Sequence, residues 1–282
     1  MSEADQEKAI TIKTPEEIQI MYEANQIVAG VLGLLKSRIR AGVSTFELDK
    51  WAEEYCCDHG AKPAFKGYRG FPGSLCASVN EEVVHGIPSK KRILRDGDII
   101  SLDFGTLYEG FYGDAAITVP VGTVTPEVNK LLQVTEAALF EGIEQATVGN
   151  RVSDISRAVQ QCAEKGGFSV VRQFVGHGIG ANLHEPPEVP NYVQRQASPR
   201  LIEGLVLAIE PMVNLGAAKV KILSDQWTVV TADKRPSAHF EHSVAVTKNG
   251  PLILSQLGPT KHCSREGWVP CFDRQHTGLK ID

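Results

Sequence analysis

Two aspartates, two glutamates and a histidine stand in sequence surroundings where a charge or an exposed ring is costly. Asp103 closes the apolar run Ile99-Ile100-Ser101-Leu102, and Asp114 lies in the next strand-like segment. A turn centred between Tyr108 and Glu109 sets the two aspartates directly opposite each other on one face of a hairpin. Carboxylates so placed repel, and the arrangement persists only with a cation between them or with one of them protonated. The alternative is that one aspartate is a solvated turn residue. His177 is bracketed by Gly176 and Gly178, so its backbone can approach a neighbour closely. His184 follows seven residues later. Glu210 in LVLAIEPMV and Glu241 in AHFEHSVAV are attached to strongly apolar strands. The segments around them hold few cations, and burying such charges unpaired is expensive. Metal charge is the better counterpart. Four carboxylates and one imidazole balance two divalent cations, and an oxygen-rich set suits Mn, Fe(II) or Co and tolerates Zn. No cysteine pair has zinc-finger spacing.

The elements that must position these residues show a repeat. TPEEIQIMYEANQIVAGVLGLL followed by AGVSTFELDKWAEEYCCDHG resembles TPEVNKLLQVTEAALFEGIEQA followed by VGNRVSDISRAVQQCAEKGG, about 110 residues on. Thr-Pro-Glu gives each copy a threonine cap and a proline in the first turn. Helical spacing follows, at Ile18, Met21, Val28, Leu32 and Leu35, and at Val128, Leu131, Thr135, Leu139 and Ile143. Val43-Ser44 and Val152-Ser153 begin a second helix in each copy, ended by Gly60 and Gly166. Strand-like runs cover 75–79, 98–104 and 111–120 in the first half and 169–175, 205–209 and 242–247 in the second. The expected class is α+β: two pseudo-symmetric halves with helices packed on a mainly antiparallel sheet, and a cleft where the halves meet. The domain plan is a segment 1–13, one catalytic domain 14–258 with halves 14–124 and 125–258, and a tail 259–282.

The 282 residues carry a net charge of -5, which argues against broad nucleic-acid binding. The longest uncharged apolar run, near Ala24 to Leu35, is too short to span a bilayer. No secretory signal is visible, and six sparse cysteines fit a reducing cytosol. Lys90-Lys91-Arg92, with Arg95, is the one basic run and reads as a solvated loop. In the tail, His262, Cys263, Cys271 and His276 are too irregularly spaced for a third metal site to be favoured.

From about Thr14 to Gly258 the chain resembles the type I methionine aminopeptidases, which have the creatinase-like pita-bread fold. The segments that carry the resemblance are YRGFPGSLCASVNEEVVHGIP, SLDFGTLYEGFYGDAAITV, VGHGIGANLHEPPEVPNY, LAIEPMVNLG and SDQWTVVTADKRPSAHFEHSVAVT. The resemblance implies a curved sheet and two metals held by Asp103, Asp114, His177, Glu210 and Glu241. Asp114 and Glu241 would bridge the metals, Asp103 would bind one, and His177 and Glu210 the other. Glu210 would serve as general base to a bridging water. His85 and His184 would stabilise the developing oxyanion and the leaving amine. Tyr68, Phe71, Cys76 and Trp227 match the methionine pocket, where soft and aromatic contacts suit a thioether; core packing is their ordinary alternative. Further implications are a deformylated amino terminus, a small second residue, nascent polypeptides as partners, a transient ribosome contact, a monomer, and a cytoplasmic location without stable nucleic-acid or membrane association. Ala181 departs from the basic residue often found there, and 259–282 extends past the shortest members. The gap from His184 to Glu210 leaves no room for the type II insertion, and no zinc-binding extension precedes Thr14, as in bacterial or organellar forms. Competing expectations are a proline-specific peptidase of the same fold and an inactive binding protein. Against them stand the Tyr-x-Gly-Phe-Pro-x-Ser segment at 68–74, the short segment before Thr14 and the complete ligand set.

Overall fold

The Thr-Pro-Glu segments cap helices as their chemistry requires. In the computed structural model, which describes residues 10–195 and 198–256, Thr14 Oγ1 accepts the Glu17 N–H at 3.2 Å and Glu17 Oε2 accepts the Thr14 N–H at 2.7 Å. This reciprocal box starts α1, Pro15–Arg38. Ser44 and Glu47 form the same box ahead of α2, Thr45–Asp58. Thr125 caps α3, Pro126–Glu144. The second Val-Ser step behaves differently from the first. Val152 is already the first residue of α4, Val152–Lys165, and its cap is Arg151. The Asp154 carboxylate takes the Arg151 N–H at 2.8 Å, and Ser153 N–H goes to Ser198 Oγ at 2.7 Å instead of being capped by its neighbour. Gly60 follows α2 at φ 75°, and Gly166 ends α4 as its C-cap, followed by the left-handed Gly167 at φ 88°.

The strands are β1 Lys62–Pro63, β2 Cys76–Val79, β3 Glu82–Val84, β4 Ile99–Tyr108, β5 Phe111–Pro120, β6 Ser169–Val170, β7 Gly176–Gly178, β8 Glu185–Val189, β9 Val206–Ile209, β10 Met212–Asn214, β11 Val220–Ile222, β12 Val229–Thr231, β13 Ser237–His239, β14 Glu241–Thr247 and β15 Gly250–Ile253. The run expected from Ser169 to Val175 pairs only at its first two residues. The main sheet runs β1-β4-β5-β14-β9-β7-β8, with β2 also on β4 and β15 also on β14, and all its pairs are antiparallel. Two three-stranded sheets, β13-β10-β6 and β11-β12-β3, flank it.

Strand periodicity sorts the main sheet into two faces. Ile100, Leu102 and Phe104 of β4, with Ala115 and Val119 of β5, pack in one core cluster with Val28, Val31, Leu32 and Leu35 of α1 and Leu48 and Ala52 of α2. Leu207 and Ile209 of β9 and Val244 and Val246 of β14 pack in a second cluster with Leu131 and Leu139 of α3 and Ile155 and Val159 of α4. Each helical pair thus covers one half of the sheet. Residues of the opposite parity, including Asp103, Asp114 and Glu241, face away from the helices.

By length and composition α1 could cross a membrane, a property of the whole helix that the uncharged run Ala24–Leu35 does not reveal. Its buried residues, Met21, Ala24, Val28, Val31, Leu32 and Leu35, are instead spent on core packing. The tail 259–282, with its two histidines and two cysteines, lies outside the described residues.

The described residues just ahead of Thr14 pack with the catalytic domain. Lys13 N–H donates to Gly204 O at 2.8 Å, and Lys13 Nζ lies 2.6 Å from Glu185 Oε2, both side chains only 4% exposed. Thr11 Oγ1 bonds both partners, and Glu185 Oε1 accepts the Asn182 N–H at 3.0 Å. This network staples 182–185, the stretch that contains His184. Lys13→Met strands a buried carboxylate and should cost about 3–5 kcal/mol in urea unfolding, with much of the loss recovered in Lys13→Met/Glu185→Leu. A single-variant loss under about 1 kcal/mol would show that the pair is not a determinant of stability.

Candidate metal centre

Strand register gathers the five candidate ligands. Asp103 on β4 and Glu241 on β14 both pair with Ala116 of β5, and Asp114 lies two residues from Ala116 on the same face. His242 pairs with Ile209, which extends to Glu241 beside Glu210 at the end of β9. His177 on β7 pairs with Ala208, on the Glu210 face. Five successive strands of the sheet therefore send their carboxylates and imidazole to one side.

The hairpin differs from expectation in its centre. Tyr108 pairs with Phe111, so the turn residues are Glu109 and Gly110, at φ 46° and 85°. A two-residue turn with both φ positive suits the twist of the strands and draws Gly to its second position. The pair of Asp103 is consequently Ala116, and Asp114 stands diagonal to it rather than opposite. The alternation of two keeps both on the same face.

The backbone is brought close at two places to achieve this. A Cβ at Gly113 would lie 2.9 Å from Asn25 N and 3.0 Å from Ala24 C, so β5 rests directly on α1. Asn25 is fully buried; its Oδ1 accepts the Asp114 N–H at 3.2 Å and its Nδ2 donates to Met21 O at 2.8 Å. Cβ atoms at Gly176 and Gly178 would lie 2.3 Å from Ala208 O and Pro186 O, so His177 sits between two strands that only glycine lets approach. Its Nδ1 lies 2.9 Å from Gly178 O, which places the ring proton there and leaves Nε2 facing Glu210 Oε1 at 3.5 Å.

Asp103 Oδ1, Asp114 Oδ1 and Glu241 Oε1 are buried without a hydrogen-bond partner. One ligand atom each from Asp114, His177 and Glu241 lies within 4.8 Å of the others. Burial pushes the Asp103 carboxyl up to about 7. Burial, reinforced by the charge of Asp103, holds Asp114 well above the usual carboxylate range. Burial and then neighbouring carboxylates do the same to Glu210 and Glu241. Burial also depresses His177 to about 3 and His85 and His184 to about 4, so these rings are neutral at physiological pH. Orphaned carboxylate oxygens beside a neutral imidazole are a donor set for hard or borderline divalent cations, and the residues fit such ions.

Around the cluster stands an aromatic wall. Tyr68 Oη is 2.9 Å from His184 Nδ1, and the His184 and His177 rings are 4.3 Å apart. Phe71 meets Trp227 edge to face at 5.1 Å. His85, at φ 60°, has Trp227 at 6.2 Å and Phe174 at 5.7 Å. Cys76 is buried and pairs across β2 and β4 with Asp103. Tyr68, Phe71, Cys76 and Trp227 share one apolar cluster with Phe65, Ile179 and Leu183. All the sequence-derived site residues thus come together. Asp225 presents Trp227 by accepting the N–H groups of Trp227 and Thr228 at 2.9 and 2.8 Å.

Sequence reasoning missed His239 and Phe174. His239 Nε2 lies 3.7 Å from Glu210 Oε2 and 4.0 Å from Glu241 Oε2, and burial, then the charge of His85, lowers it to about 3. The signal was its position two residues before Glu241, the strand period. Phe174 gives no such signal, because its role depends on the path of His85.

The profile of metallopeptidase family M24 matches residues 19–248. The chain is 53% identical over 248 residues to the methionine aminopeptidase of Clostridium perfringens, an alignment covering 88% of this chain and 99% of that one. It superposes on the crystal structure of a Thermotoga maritima methionine aminopeptidase with a TM-score of 0.86 and 42% identity, covering 88% of this chain and all of that one. The Pyrococcus horikoshii prolidase has a TM-score of 0.72 at 24% identity, and the match covers 88% of this chain and 64% of the prolidase. This last likeness is one of fold.

Two outcomes follow from the electrostatics. At about pH 6 the carboxylates with raised pKa still hold protons that a cation must displace, whereas His177 is already neutral. Metal affinity should therefore rise as pH rises toward and through about 7, with proton release. Calorimetry with Co(II) in buffers of different ionisation enthalpy measures this; an affinity flat between about pH 5.5 and 7.5 would contradict it. Asp114→Asn or Glu241→Gln should remove about one metal equivalent and abolish turnover, checked by Co(II) titration beside a peptide assay.

Proposed function

Because the chain belongs to metallopeptidase family M24, we propose that it removes the amino-terminal methionine from polypeptides with a small second residue, using two divalent cations. The observation that carries this is the row of Asp103, Asp114, Glu241, Glu210 and His177 on one sheet face, beside a wall of Tyr68, Phe71, Cys76 and Trp227. The identity of relatives such as the Clostridium perfringens enzyme supports the methionine specificity.

When bound, the cations supply Lewis acidity to the scissile carbonyl and acidify water near neutral pH. Mn, Fe(II), Co and Zn are the candidates that the donor set suits. Glu210 takes the proton from the attacking water, a role suited to a carboxyl group whose proton affinity is raised by burial. The mechanism uses the tautomer in which the Tyr68 hydroxyl, 2.9 Å from His184 Nδ1, donates to it and the ring proton is on Nε2. A neutral His184 then donates to the carbonyl oxygen as charge develops on it, without a buried positive charge in the ground state. His85, held neutral between Phe174 and Trp227, faces the leaving amine side. The apolar cluster receives the thioether, with Cys76 and the aromatic rings as soft contacts.

The substrate is a free amino terminus, since formylation removes the lone pair needed for recognition. Nascent chains are the natural source, which places the activity in the cytoplasm, with transient contact at the ribosome, as a monomer without membrane or stable nucleic-acid association. A proline-specific reading has no observation in its favour.

A Met-X-Gly series tests this. Cleavage should be efficient with X as Ala, Gly or Ser and poor with Phe or Lys, because a bulky side chain overpacks a rigid site. The formylated peptide and a prolyl dipeptide should resist. Equal cleavage of the Phe peptide or the formylated control would leave a general aminopeptidase. His184→Ala should lower kcat by about 10²–10⁴ while metal content holds; loss of metal would make His184 a ligand.

A further inference from the structure

His239 is a polar group for which the centre as described has no use. It is 1% exposed, and neither ring nitrogen has a hydrogen-bond partner. Its backbone is pinned: His239 N–H donates to Thr118 Oγ1 at 2.8 Å, and the same hydroxyl donates to His239 O at 2.7 Å. Ser101 Oγ lies 2.8 Å from that hydroxyl too. His239 also pairs with Met212 across β13 and β10. A buried imidazole fixed this firmly, with unused polar atoms, carries a cost that native proteins rarely leave without return.

The direction of the ring supplies the return. Nε2 stands between Glu210 Oε2, at 3.7 Å, and Glu241 Oε2, at 4.0 Å. It is too far for a hydrogen bond to either, yet a shift of under about 1 Å would make one with either carboxylate. Once both carboxylates are ionised, as ligation requires, an N–H is the form of that nitrogen they accept. The ring is too buried to meet a substrate, and Nε2 is outside the group formed by Asp114, His177 and Glu241. We propose that His239 is a positioning residue whose Nε2–H orients the Glu210 and Glu241 carboxylates for ligation. The inference rests on the dinuclear reading and adds a donor to it. Glu210 and Glu241 come from different strands, so a donor between them couples the two sides of the centre. Orientation of a ligand by a neighbouring hydrogen bond sets metal affinity more than it sets the donor list.

The test is Co(II) binding to the full chain, by calorimetry and visible absorption, alongside circular dichroism and thermal unfolding. Wild type should bind two equivalents. His239→Leu, which keeps bulk and loses the donor, should weaken at least one equivalent by about 10- to 100-fold. His239→Gln, which restores an N–H at similar reach, should bind within about threefold of wild type and recover the wild-type spectrum at saturation. His239→Asn, whose amide falls short, should behave like the leucine variant and replaces it if that variant does not fold. Leucine and asparagine variants with wild-type affinity and spectrum would overturn the role. So would a folded glutamine variant as weak as the leucine one, or lacking an equivalent, since the imidazole would then be a ligand. Wild type failing to bind two equivalents would overturn the dinuclear reading itself, and this inference with it.

Discussion

Mutual repulsion among buried carboxylates is the constraint around which this molecule is arranged. Asp103, Asp114, Glu210 and Glu241 are brought to one face of one sheet, away from water. Asp114 and Glu241 bring ligand oxygens within 4.8 Å of each other, and at such a separation, even with an effective dielectric of about 20, an ionised pair costs roughly 3–4 kcal/mol. Among the described residues no lysine or arginine forms an ion pair with any of them. The buried Lys13 is committed to Glu185. The balance must come from outside the polypeptide, by protons or by cations. Protons would only neutralise the cluster, whereas divalent cations would also bring Lewis acidity to it.

The scaffold holds that unfavourable set by making its backbone hard to move. Gly113 lets β5 lie on α1, and Asn25 ties the Asp114 amide to the helix. Gly176 and Gly178 seat β7 between β8 and β9. Ser243 Oγ donates to Asp114 O at 2.8 Å, and Asn191 Nδ2 to Glu210 O at 3.2 Å. The helices α1–α4 bury apolar residues on the far face and so supply the stability that the carboxylate face consumes. The histidines belong to the same arrangement. Burial keeps them uncharged, so they can ligate or donate without adding a proton-dependent charge to the centre.

The wall of the pocket is assembled from places far apart in the chain. Tyr68 and Phe71 come from the turn before β2, Trp227 from the β11–β12 hairpin, and His184 from the stretch stapled by Lys13 and Glu185. Soft and aromatic surface against a charged centre separates two tasks. In the proposed function the apolar wall receives the side chain and the carboxylate face handles the amide bond.

Much of this was legible from residue types alone. The helix starts at Thr14 and Thr125, the apolar strand runs, and the isolated carboxylates at 103, 114, 210 and 241 are local signals, set by capping, periodicity and desolvation. The motif segments likewise marked the family, which the M24 profile and the relatives show. The centre of the β4–β5 hairpin was not read correctly, since a one-residue change of turn alters the pairing partner without altering the face. The second Val-Ser step begins α4 at Val152 as read, but its cap was not legible: Arg151 precedes it with Asp154 on its N–H, and Ser198 engages the Ser153 N–H from 45 residues away. His239 was overlooked because its meaning lies in two carboxylates on other strands. Sequence determined which residues carry charge, which faces are apolar and where helices begin. Tertiary structure alone decided the register that converges five strands on one point, because hydrogen-bonded pairing between strands is a long-range choice that no local pattern encodes.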